Sequence, residues 1–147
     1  MRLAMPALLL LTACSGGGAM DAGLVGCEMD PTAETYTAGM KQLGMNGKLS
    51  FQLMSSDPGP PLRGTNVWEL KVLDGTGAPV TGATLTVVPF MPEHGHGSSV
   101  VPTVSADSDA YKITNLYLFM PGLWRVTITA TAGQVTDSGA FVFCVAG

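Results

Sequence analysis

Apolar residues recur two positions apart along most of this chain. In residues 48–55, KLSFQLMS, the side chains of Leu49, Phe51 and Leu53 fall on one face. In residues 66–73, NVWELKVL, Trp68, Leu70 and Val72 share a face, and Glu69 and Lys71 take the other. In residues 122–131, GLWRVTITAT, Trp124, Val126 and Ile128 alternate with Arg125, Thr127 and Thr129. Successive side chains of an extended chain point to opposite faces, so this period predicts half-buried strands. Further strands are predicted at 83–90, 100–105, 111–114 and 134–145, with a weaker one near 36–40. Segment 32–43 is read either as leading into that weak strand or as opening with a short helical turn. Turn residues separate the strands: SDPGPPLRG, DGTGAPVTG, ADSD, and the pair Ala132-Gly133 as a two-residue hairpin turn. No long segment carries a 3.6-residue period. The pattern predicts an all-β fold, an immunoglobulin-like antiparallel β-sandwich of about seven strands, with Trp68 and Trp124 in its core.

The N-terminal residues follow a different rule. In MRLAMPALLLLTAC, Arg2 precedes an apolar run from Leu3 to Leu11, and small residues lead into Cys14. The run is short of the roughly 20 apolar residues a membrane-spanning helix needs. Its anatomy is that of a secretory signal. The sequence Leu11-Thr12-Ala13-Cys14 resembles the bacterial lipobox. That resemblance implies cleavage before Cys14 and lipid attachment to its thiol and new amino group; the alternative is a secreted protein with a free Cys14. Ser15, in place of aspartate, implies by the enteric sorting rule an outer-membrane anchor facing the periplasm or the surface. Residues 15–23, SGGGAMDAG, have the composition of a flexible tether. The expected organisation is a signal peptide at 1–13, a lipidated cysteine and linker at 14–26, and one domain at 27–147, a normal single-domain size.

Cysteine use agrees with export. Of three cysteines, Cys14 is assigned to lipid, and Cys27 and Cys144 stand at the two ends of the domain. In an oxidising compartment they are expected to pair. The alternative, a pair of metal thiolates, has no short-spaced ligand motif behind it. The net charge of −4 comes with no basic patch, which argues against nucleic acid as a partner. The acids are scattered, so neither an acidic tail nor a glycosidase pair is expected.

Both histidines, His94 and His96, lie in one loop, FMPEHGHG at 90–97. On an extended segment residues two apart point the same way, and paired imidazoles suit copper, zinc or nickel. Met91 adds a thioether, which favours Cu(I). A second Phe-Met-Pro at 119–121 echoes the one at 90–92. With both at one end of a sandwich, Met91, His94, His96 and Met120 would converge, Trp124 would cover a cation, and Glu93 would serve as a hard ligand or as an acceptor behind the ligands. The opposing reading is plain packing: methionines fill cores, Gly95 and Gly97 permit a tight turn, and the histidines stand in solvent without a ligand. Catalysis is not expected. Ser98 and Ser99 follow His96, but no nucleophile elbow surrounds them and no HExxH motif exists.

The stretch VWELKVLDGTGAPVTGATLTVVPFMPEHGHG, followed by AYKITNLYLFMPGLWRVTI, resembles the YtkA-like domain and is similar in plan to the FixH-type and CopC-like exported β-sandwiches. The shared features are the Asp74-Gly75 turn, Pro79-Val80 with Ala83 ahead of the next strand, Met91-Pro92 with His94 and His96, a strand at Tyr111, and Met120, Gly122 and Trp124 opening another. The resemblance covers 66–131. It implies a small immunoglobulin-like module of an exported bacterial protein, some relatives of which are linked to copper handling or to assembly of copper-containing oxidases. Where family loops often carry a second methionine near the histidine, this chain has Glu93-His94. Two expectations follow. One is a non-catalytic, lipid-anchored envelope protein that binds copper through Met91, His94, His96 and Met120. The other is an interaction or structural module of the envelope with a protein partner and no metal.

Overall fold

The computed structural model describes residues 26–147. The expected signal peptide at 1–13, the lipidated Cys14 and all but the last residue of the linker lie outside the described residues. Within them the chain forms nine strands: β1 (Met40–Leu43), β2 (Ser50–Asp57), β3 (Gly64–Leu73), β4 (Thr84–Met91), β5 (His96–Gly97), β6 (Thr103–Asp107), β7 (Ala110–Leu118), β8 (Gly122–Ala132) and β9 (Val135–Val145). Two antiparallel sheets result, one ordered β1-β2-β3-β7-β6 and the other β5-β4-β8-β9. This is the predicted all-β sandwich, with the short β1 and β5 added to the seven main strands.

The alternation seen in the sequence is the packing rule of the structure. Leu49, Phe51 and Leu53, then Trp68, Leu70 and Val72, are buried from one sheet, and Trp124, Val126 and Ile128 from the other. Both tryptophans are fully buried, as expected. Trp68 meets Phe141 and Phe143 edge-on, at 5.9 and 5.8 Å between ring centroids.

Where the structure departs from the pattern, a local cause is visible. The strand expected at 111–114 runs on to Leu118. A bulge hides the continuation: Asn66 pairs with Leu116 and Trp68 with Ile113, so two residues of β7 face one of β3. Asn115 takes a φ of +58°, which asparagine tolerates better than most residues. The extra residue shifts the apolar phase, so that Ile113, Leu116 and Leu118 are buried three and then two apart. The strand expected at 100–105 starts only at Thr103, after Pro102, which has no N–H to give a ladder. The hairpin turn is Gly133-Gln134, since Ala132 still pairs with Val135. Gly133 has a φ of +59°, the conformation glycine supplies at the first position of a two-residue loop. The weak early strand begins at Met40, after a turn closed by the Met40 N–H on the Thr37 carbonyl and after Gly39 at a φ of +84°. Turns lie at 26–29 and 31–32, and segment 32–43 contains no helical turn.

Two fasteners stand at opposite ends of the sandwich. At one end Cys27 and Cys144 form the expected disulfide, with 5.3 Å between Cα atoms across a sequence separation of 117. Next to it Glu34 lies along β9, donating its N–H to the Val142 carbonyl and accepting the Val142 N–H on its carboxylate, both at 2.7 Å. At the other end Asp137 of β9 is buried and accepts N–H bonds from Asn46, Lys48, Leu49 and Ser138 at 2.8 to 3.0 Å. It therefore ties the β1–β2 loop of one sheet to the last strand of the other. Gly44 makes the approach feasible: a Cβ there would stand 2.2 Å from the carboxylate oxygen.

Burial by itself raises the pKa of the Asp137 carboxyl, but the four backbone N–H bonds favour the charged form more strongly, and the value ends below the ordinary one. The folded-state value is thus lower than the unfolded one. The stability this group contributes is fully present above about pH 4, the ordinary carboxyl value, and is lost as pH falls through the folded value. Asp137→Asn is expected to cost about 2–4 kcal/mol at neutral pH and to flatten the acid limb of the stability profile, read by urea titration from neutral pH down to pH 3. The double variant Cys27→Ala/Cys144→Ala is expected to lose about 2–5 kcal/mol, seen as a lower urea midpoint.

Candidate functional site: the β4–β5 rim

The FMPEHGHG loop caps the end of the sandwich where the disulfide lies. β4 ends at Met91, and the chain turns back at once: the N–H groups of His94 and Gly95 both reach the Met91 carbonyl, at 3.2 and 2.9 Å, with Gly95 at a φ of +68°. The returning β5 pairs His96 with Met91 and Gly97 with Phe90. Gly97 passes so close to β4 that a Cβ would meet the Pro89 carbonyl oxygen at 2.8 Å. The glycines are thus required by the backbone path.

The register decides where the histidines go. Directly opposed residues of an antiparallel pair put their side chains on the same face. Met91 is fully buried, so His96 follows it to the inner side of the rim and is half-buried. There His96 stacks on Phe119, with 5.6 Å between centroids and 23° between planes. His94 is exposed and its ring lies 5.6 Å from that of His96. Phe119 in turn meets Trp124 edge-on at 5.6 Å and stacks on Tyr117 at 6.2 Å.

The second Phe-Met-Pro segment therefore does lie at the same end as the first. It is held there by the Trp124 Nε1 donating to the Met120 carbonyl and the Arg63 Nε donating to the Phe119 carbonyl, both at 2.9 Å. Buried Asn66 fixes the loop that presents Arg63, through bonds to the Leu62 N–H and to the Leu62 and Gly64 carbonyls.

Of the four predicted ligands, the structure brings His94 and His96 together. The two methionines serve mainly as packing. Met91 lies in the core, and its Cε sits 2.7 Å from where a Cβ on Gly122 would be; Met120 is half-buried against the same core. Trp124 is fully buried behind Phe119, so the ring in contact with His96 is Phe119. Sequence reasoning passed over Phe119, although the repeated Phe-Met-Pro was the signal that could have found it. Glu93 lines a cavity of about 120 Å³ with Cys27, Cys144, Pro121 and Gly122. The Ser98 Oγ is occupied as an acceptor for the Val100 N–H at 3.2 Å. Among the described residues, no group of three or more His, Cys, Asp or Glu side chains is placed to hold a metal ion. What the rim offers is one imidazole stacked on an aromatic ring and a second imidazole beside it.

The fold and the rim define a small antiparallel sandwich that carries its histidines on a tight hairpin. The sequence profile of the YtkA-like family matches residues 44–129, from the β1–β2 loop into β8 and including both Phe-Met-Pro segments. The chain belongs to that family. No curated protein and no solved structure matches it.

The Met91–Gly122 contact yields a test of the rim's construction. Gly122→Ala places a methyl group against Met91 Cε at a φ of +133°. We expect it to lower stability by about 1–3 kcal/mol in thermal or urea melts, and to shift the His96 ring resonances in NMR spectra through the Met91–His96 pair.

Proposed function

We propose that this protein is a non-catalytic lipoprotein of the bacterial envelope, anchored through Cys14, whose rim binds Cu(I) through His94 and His96. The observation that carries the reading is the β4–β5 register, which sets His96 opposite Met91 and brings the His94 ring to 5.6 Å from that of His96. The donor chemistry fits a soft monovalent ion. Imidazole and thioether are the ligands such an ion prefers over carboxylate, and both residue types lie at this end of the sandwich. Met120, half-buried, is the thioether nearer to solvent; Met91 supports His96 from below. A bound ion would give the module a carrier's role. The chain's own part is to stack His96 on Phe119 and to bring the His94 ring beside it on a tight turn. The anchor rests on the Leu11-Thr12-Ala13-Cys14 sequence and the apolar run before it.

One observation favours a second reading, a protein-interaction module without metal. Val88, Phe90, Val100 and Val101 are exposed beside the same loop, and clustered exposed apolar side chains often mark contact sites. The titration that separates the two uses Cu(I) competed against a chromogenic chelator, with wild type beside His94→Ala/His96→Ala. Stoichiometric binding that the double variant loses is the expected result. Equal binding by both proteins would remove the rim from copper chemistry and leave the interaction module.

A further inference from the structure

The disulfide fixes where the chain enters the folded domain, and that point is on the rim. Cys27 is bonded to Cys144, Cys144 pairs with Leu123 in the first turn of the β8 ladder, and Cys27 shares a cavity with Glu93 of the histidine loop. Cys27 follows Cys14 by 13 positions. Even fully extended, that length of chain spans at most about 45 Å. The sandwich itself is about 35 Å long, from the rise of its 11-residue strands. A lipid on Cys14 therefore keeps the rim within about 45 Å of the membrane. The opposite end reaches the bilayer only if most of the tether is drawn out along the domain.

The rim also has side chains suited to that surface. Met29, Leu62 and Phe90 are 81%, 46% and 38% exposed, and they lie two residues from the Cys27 bridge, in the β2–β3 loop beside Phe119, and next to the end of β4. Arg63 is exposed among them. Leu43 and Met45 at the far end are as exposed, at 69% and 80%, so apolar exposure does not choose between the ends; the attachment point does, by raising the effective concentration of lipid at the rim. Glu28 and Glu93 also face outward here, so the contact does not depend on anionic lipid.

From this geometry we infer that the rim rests on the phospholipid bilayer that holds the anchor, with Met29, Leu62 and Phe90 at the lipid surface. The inference rests on the lipoprotein reading above. It places the histidine loop on the membrane side of the domain, within reach of what the bilayer carries.

The test uses the full lipidated chain in phosphatidylcholine vesicles that contain a lipid with a photoactivatable carbene headgroup. Adducts are mapped by peptide mass spectrometry, for wild type and for Leu62→Ser/Phe90→Ser, with thermal melts to confirm that the variant is folded. We expect adducts at residues 28–30, 62–63 and 90–97, few at 43–47 and 75–77, and loss of the rim adducts in the variant. Adducts spread evenly over both ends, or rim adducts unchanged in the variant, would show a domain that is tethered without docking and would overturn the inference. An intact mass without acyl chains on Cys14 would remove the lipoprotein reading itself, a separate failure visible before any labelling.

Discussion

Trp68 crosses from one sheet to the other, and the sandwich is organised around that contact. Its ring meets Phe141 and Phe143 edge-on, the geometry that aromatic quadrupoles favour. The contact requires β3 and β9 to face each other at a set height, and the registers of β2, β7 and β8 follow from theirs. The indole Nε1 finds no hydrogen-bond acceptor among the described residues. Such a group costs about 1–3 kcal/mol, and burying the largest side chain of the core offsets it. The interior is otherwise apolar, and its two buried polar side chains, Asn66 and Asp137, are both fully engaged with backbone groups.

Around this contact the two ends of the sandwich are closed by different chemistry. At the Asp137 end a charged acceptor gathers four backbone donors, a polar joint that requires the carboxylate to be ionised. At the rim a covalent bond joins the chain's entrance to its last strand, with the Glu34 backbone and carboxylate bonded to Val142 beside it. Reduction therefore weakens the rim end and leaves the Asp137 joint in place.

The rim shows how a core dictates the conformation of a surface loop. Met91 is buried because β4 alternates; His96 is half-buried because it is paired with Met91; and Phe119 lies under His96 because Trp124 and Arg63 hold the second Phe-Met-Pro segment in place. His94 alone is free of these constraints and faces solvent. A ligand at this rim would meet one half-buried imidazole stacked on Phe119 and a second imidazole exposed to solvent.

Much of this was legible in the residues. The period-two pattern determined the strands, the two buried tryptophans and the class of fold, because each strand has one face in the core and composition must follow it. The positions of Cys27 and Cys144 determined the bridge, because only two cysteines remained within the domain and they stood at its ends. Tertiary structure decided the rest. The continuation of β7 past Asn115 was hidden because a bulge shifts the apolar phase by one residue. The carboxylate of Asp137 read as one scattered acid, because its four donors come from its own strand and from a loop about 90 positions earlier in the chain. The roles within FMPEHGHG and its echo at 119–121 were likewise undecided by spacing. Which methionine is buried and which ring touches the histidines depend on strand register, and register is set by contacts between segments far apart in the chain.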